Sequence, residues 1–165
     1  MELTLLTVIR DFSIAFVVGF CWAILFGSPK KMLWVAGLLG GTGHCFRFIL
    51  LQLGFEMIPS TLAASLLIGF CGIYLAHQKE TPTVVLTMPA CITMIPGMFA
   101  YRAMLNGIKL TDKELLQENL ELIPNIAHNL VLTVSLLFTL AIGICVGALL
   151  ARRTSPRYDA LKKDR

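Results

Sequence analysis

Residues 89–104 read Pro89-Ala90-Cys91-Ile92-Thr93-Met94-Ile95-Pro96-Gly97-Met98-Phe99-Ala100-Tyr101-Arg102-Ala103-Met104, and this stretch decides the fold. It sets two prolines and a glycine inside an apolar segment, about 83–105, long enough to cross a bilayer. Pro89 and Pro96 each remove one intrahelical hydrogen bond. Pro96-Gly97 falls near the segment's middle, so a break there is expected rather than two mild kinks. Backbone amides in hydrocarbon must find partners within the protein. A broken helix at membrane depth therefore persists only where it is packed in protein or lines a watery cavity. Its ends leave N–H and C=O groups, with partial charges, that can hold a small solute near the midplane. The competing reading is a plain proline kink with Tyr101-Arg102 as an interfacial anchor.

Outward from that stretch, the composition is that of a membrane protein. Of 165 residues, 56% are hydrophobic and only 15% charged, too little polar surface for a soluble globule of this size. An all-α integral membrane protein with five transmembrane helices is expected, at about 5–27, 32–54, 60–77, 83–105 and 125–151, the fourth broken at Pro96-Gly97. The opening residues lack a Lys/Arg-rich leader and a small-residue cleavage site, so they are expected to stay as the first span. Lys30, Lys31, Lys79 and the tail from Arg152 are basic, while the alternate loops carry Glu56 and the group Asp112, Glu114, Glu118 and Glu121. That alternation places the N-terminus outside and the C-terminus in the cytoplasm.

Between the fourth and fifth spans a short interfacial helix is expected over about 112–122. Thr111 and Glu114 fit a capping box, Leu110 and Leu115 its hydrophobic staple, and Leu116, Leu120 and Ile123 an apolar stripe. Pro124 suits the first turn of the fifth span, and Asn125, His128 and Asn129 share one face at its outer end, lining a vestibule or meeting headgroup water. The basic tail 152–165 reads as an anchor on anionic lipid, and no nucleic-acid partner is expected.

The second span concentrates the other unusual residues: Gly37, Gly41, His44 and Arg47. Gly37 and Gly41, four apart, let another helix approach closely, and are assigned to helix packing. His44 and Arg47 lie three apart on adjoining surface of the same helix. An arginine at mid-membrane costs several kcal/mol unless paired or wetted, so a functional role is its default, with a helix-gluing contact as the alternative. His44 is a proton carrier or a packing histidine, and Arg10-Asp11 in the first span is a functional pair or an interfacial one. The five cysteines show no Cys-x-x-Cys spacing and read as small packing residues.

No phosphate loop, zinc motif, nucleophile elbow or metal-spaced Cys/His cluster occurs, so no cofactor, metal or enzymatic activity is expected. An intramembrane enzyme would need a nucleophile and base at recognisable spacing.

Three blocks together carry a family resemblance: Ser28-Pro29-Lys30-Lys31, Gly41-x-Gly43-His44-x-x-Arg47, and Pro89 through Met104 with its Pro96-Gly97-x-x-Ala100-Tyr101 core. In these the chain resembles the small subunit of the split bacterial threonine/serine exporter (ThrE) family. The resemblance covers nearly the whole chain. It implies a multi-pass protein of the bacterial inner membrane that works with a larger five-span subunit bearing a cytoplasmic domain. Some members of the family are fused versions of the two halves. Some split pairs are associated with succinate-like dicarboxylates. An outside-in five-span unit is the mirror of an inside-out partner, so the chain reads as half of a 5+5 inverted-repeat transporter, with higher oligomers open.

The function expected is thus a membrane subunit of a heteromeric secondary exporter for small carboxylate metabolites, either threonine/serine or a dicarboxylate. Arg47, Pro96, Gly97, Tyr101 and Arg102 are assigned to substrate, and His44 and Asp11 to a coupling proton. The competing function is a non-transporting scaffold in which glycine faces and buried charges only hold a complex together.

Overall fold

The computed structural model describes residues 5–110 and 122–153. Among them are six helices and no strand: α1 Leu5–Leu25, α2 Lys30–Gln52, α3 Met57–Gln78, α4 Thr83–Ile92, α5 Gly97–Lys109 and α6 Leu122–Arg153. The expected interfacial helix falls, but for Leu122, outside the described residues, as does the tail beyond Arg153. Four helices are long and apolar enough to cross a membrane, and five spans result when α4 and α5 are counted as one interrupted crossing.

The ends of α1, α2 and α3 share one closure. After α1, Gly27 takes a φ of 66° and the Ser28 N–H returns to the Ala23 carbonyl at 3.0 Å. After α2, Gly54 takes 91° and the Phe55 N–H returns to Leu50 at 3.2 Å. Both are Schellman turns, whose left-handed residue is cheapest as glycine. Glu80, at φ 49°, plays that part after α3, and the Thr81 N–H returns to Ala76 at 3.1 Å. Pro29, Pro59 and Pro82 sit at the starts of the following helices, where a missing N–H costs nothing.

The chain forms two compact units, one up to Met94 and again from Thr139, the other Ile95–Phe138. In the first unit α2 is the hub, packed against α1, α3 and α4. Its Gly37-Leu38-Leu39-Gly40-Gly41-Thr42-Gly43 run explains how one helix serves three neighbours. A Cβ on Gly37 would lie 3.0 Å from the Phe16 ring, and one on Gly41 2.9 Å from the Phe12 ring, so that face receives α1. A Cβ on Gly40 would meet the Ala90 backbone of α4 at 3.4 Å, and one on Gly43 would run into Ile68 of α3. With little hydrophobic drive between helices in lipid, such close backbone approach and its dispersion contacts supply the cohesion.

Core polar groups are answered locally. The buried Ser60, Thr61 and Thr87 hydroxyls donate to the carbonyls of Glu56, Met57 and Thr83 at 2.7, 2.7 and 3.1 Å. Ser65 donates to Leu62 at 2.9 Å, and more weakly to Thr139 of α6 at 3.4 Å. Large apolar side chains such as Leu25, Trp34 and Phe70 lie on the outside, as lipid requires. Only Cys91 of the five cysteines is fully buried; Cys21, Cys71 and Cys145 are exposed, so the expected packing role does not extend to those three. Their helices are apolar on every side, and burial cannot be read from such a sequence.

Gly72 gives a direct test of α3–α4 packing, because an added Cβ would strike the Thr87 methyl. Gly72→Ala is expected to lower stability by about 1–3 kcal/mol. Adding Thr87→Ser, which removes that methyl and keeps the hydroxyl bond to Thr83, is expected to restore most of it. Thermal unfolding in detergent reads both.

The second unit holds α5 and the first part of α6. No residue of α5 itself is buried. In α6, Pro124 occupies the first described turn, Asn125 and His128 are exposed, and the Asn129 amide donates back to the Asn125 carbonyl at 2.7 Å.

Candidate functional site at the broken helix

The interruption is built by proline chemistry. Pro89 is accommodated inside α4, which ends at Ile92. Thr93 caps it, its hydroxyl donating to Ala90 at 2.7 Å, and the Met94 N–H closes a tight last turn on Cys91 at 3.0 Å. Pro96 then takes φ −77° and ψ 56°, the centre of an inverse γ-turn in which the Gly97 N–H donates to Ile95 at 2.8 Å. A continuous helix would satisfy the Ile92 carbonyl with an N–H from residue 96 and the Thr93 carbonyl with that of residue 97. Pro96 has no N–H, and Gly97 has spent its own on Ile95, so both carbonyls lose their helical donors.

Arg47 reaches this point from α2. Its guanidinium donates to the Met94 carbonyl at 3.0 Å, in a half-buried position. The C-terminal end of a helix carries partial negative charge, which suits a cation. Met94 itself is 1% exposed, so the contact fixes a buried main-chain group rather than a surface one.

The neighbouring charge comes from α1. His44 Nδ1 donates to the Asp11 carboxylate at 2.9 Å, with the two side chains 29% and 20% exposed. Both are therefore only partly buried in the chain itself. An ionised carboxylate only accepts, so opposite one Nδ1 carries the hydrogen and Nε2 is the acceptor of the neutral ring. Arg47 lies on the same helix, three residues beyond His44. Asp11, His44, Arg47 and the Met94 carbonyl thus form one charged cluster drawn from α1, α2 and the end of α4.

Arg10 is exposed, so the partner of Asp11 is not its sequence neighbour but a histidine 33 residues away. Adjacent helical residues point in different directions, which explains the difference. Gly37 and Gly41 face Phe16 and Phe12 of α1, and that close approach brings Asp11 within reach of His44. In the second unit, Tyr101 is 57% exposed and Arg102 is also exposed on α5. At the start of α5 the Ala100 N–H donates to Pro96 at 3.2 Å, and no side chain caps the end, so Met98 and Phe99 present main-chain N–H groups there. Among the described residues no group of three or more His, Cys, Asp or Glu side chains is placed to hold a metal.

Sequence reasoning missed the Met94 carbonyl as the partner of Arg47. Proline at 96 was the available signal, since it guarantees freed carbonyls just upstream, but which of them meets the arginine depends on how α2 packs.

Fold and site together define a multi-pass helical membrane protein with a half-buried charged cluster set against the end of α4. The family model described as "Threonine/Serine exporter, ThrE" matches residues 11–150, and the chain belongs to that family. The match takes in Asp11, His44, Arg47 and the whole interruption. No solved structure matches the chain. Membership gives the chain a transport role of the threonine/serine exporter type.

Proposed function

We propose that this chain is the membrane subunit of a heteromeric secondary exporter, and that its solute is a small carboxylate metabolite recognised by Arg47. The observation that carries the reading is the Arg47 guanidinium on the Met94 carbonyl, beside the Asp11–His44 pair. An intramembrane cation resting on a neutral acceptor keeps unused N–H donors for a carboxylate, the match for which guanidinium geometry is best suited. Asp11 and His44 supply the counter-charge and the proton site. In the second unit, Pro96, Gly97, Tyr101 and Arg102 are the substrate-facing candidates, Pro96-Gly97 because α5 starts there without a cap. Threonine or serine follows from the family, and a dicarboxylate needs no acidic partner, so both enter the test.

The topology proposed has the N-terminus outside and the basic tail in the cytoplasm of the inner membrane, following Lys30, Lys31 and Lys79. A five-span half of this orientation calls for a larger inverted partner. Export of labelled threonine, serine and succinate from vesicles carrying this chain, with and without that partner, under an imposed pH gradient, tests the reading. Export is expected only with both subunits. Transport by neither combination, with both chains present in the membrane, would favour the scaffold.

The proton site has its own test. The charged group bonded to His44 is Asp11 from α1, and Arg47 follows three residues further along α2. In His44→Gln, export down the solute's own gradient is expected to continue while stimulation by the pH gradient disappears. Asp11→Asn is expected to act in the same direction. A variant that still responds to the pH gradient removes His44 from the coupling role.

A further inference from the structure

We propose that Arg47 is a latch on the interrupted span as well as a binding group: an entering carboxylate takes the guanidinium away from the Met94 carbonyl, and loading of the site releases the turn that ends α4. This rests on the reading that the carboxylate meets Arg47.

The structure makes Arg47 the group that holds Met94 from outside its own helix. In an unbroken helix the Met94 carbonyl would accept from the residue 98 N–H. Here the backbone turns away through the Pro96 γ-turn, and the guanidinium stands in at 3.0 Å. From within α4, Met94 is held by one further bond, its N–H on Cys91 at 3.0 Å. The Met94 side chain is packed in the core, and the turn beside it is bounded partly by glycine. Thr93 lies over Gly19 of α1 and Gly40 of α2, neither of which has a side chain to lock it in place.

The exchange has a driving force. The Met94 carbonyl is a neutral acceptor, whereas a carboxylate accepts charge-assisted and, from Arg, often bidentate hydrogen bonds that are roughly twice as strong. Asp11 is hydrogen-bonded to His44 rather than to Arg47. A ligand shifts a conformational equilibrium only through different affinities for the two states. Competition for one guanidinium supplies that difference.

Cys91 is a native reporter of the change. It is 2% exposed, and its carbonyl closes the last turn with the Met94 N–H. The experiment follows N-ethylmaleimide modification of Cys91 in vesicles carrying the assembled protein, resolved from the other four cysteines by peptide mass spectrometry, with and without threonine, serine or succinate. In the wild type, a transported solute is expected to raise Cys91 labelling by about fivefold or more, the lower end of usual ligand coupling. In Arg47→Gln the side-chain amide ends two bonds short of the Nη1 that holds the Met94 carbonyl and carries no charge, so Cys91 is expected to label rapidly in both conditions. In Arg47→Ala it is expected to label rapidly in both, and should that variant fail to accumulate, Arg47→Gln carries the comparison. Loss of export in Arg47→Gln together with wild-type labelling that ignores the solute would overturn the latch and leave the binding role standing. Full export by Arg47→Gln would remove the binding role and the latch with it.

Discussion

Replacing Arg47 with methionine is expected to cut export by about 10–100-fold, corresponding to loss of a hydrogen bond to a charged group worth about 1.5–3 kcal/mol. Methionine keeps an unbranched, flexible side chain, shorter than arginine, and discards charge and donors together. The Met94 carbonyl would be left without its 3.0 Å donor, so some loss of stability accompanies the substitution. Arg47→Lys separates the two effects, since it retains the charge as a single-point donor and gives up the planar fork. Export by the lysine variant is expected to fall between wild type and methionine, with accumulation in the membrane near wild type. Should accumulation and export fall in parallel in both variants, Arg47 is a brace between helices and the carboxylate site lies elsewhere.

Gly143→Val is expected to be the most damaging glycine substitution for folding. A Cβ at this position would overlap Ser65 Oγ and Cβ and lie 2.7 Å from the Ser65 carbonyl carbon. Side-chain rotation relieves the first contact but not the other two, because Cβ and the carbonyl carbon move only with the main chain of α3. Overpacking costs typically about 1–3 kcal/mol, and the two γ-methyls of valine place this change at or above the upper end. Gly107→Ala is the control, with nothing within 4 Å of the added carbon. Thermal unfolding followed by size-exclusion in detergent should show a large downward shift for Gly143→Val and none for Gly107→Ala. Equal behaviour of the two would mean that α6 does not rest on Ser65.

The interruption was legible because proline acts locally. Pro96 forbids its own hydrogen bond whatever surrounds it, and α5 begins at Gly97. The partners of the charges were less legible, because they depend on how helices dock. Asp11 stands next to Arg10 in sequence yet bonds to His44. A clue was present: Gly37 receives Phe16 and Gly41 receives Phe12, an antiparallel register that leads onward to the turn holding Asp11. Gly37 and Gly41 can be paired by spacing alone, but Gly40 and Gly43 serve other helices, and no periodicity distinguishes the neighbour each one meets.

The glycines of α2 also set how freely this protein can vary. With neighbours pressed against three sides of the segment from Gly37 to Gly43, almost no substitution of its glycines can be absorbed by one compensating change. A saturation screen should find Gly37, Gly40, Gly41 and Gly43 nearly intolerant, while α5, without a buried residue of its own, accepts many replacements. Drift that adjusts the protein to a new solute therefore has little room in the middle of α2 and far more along α5.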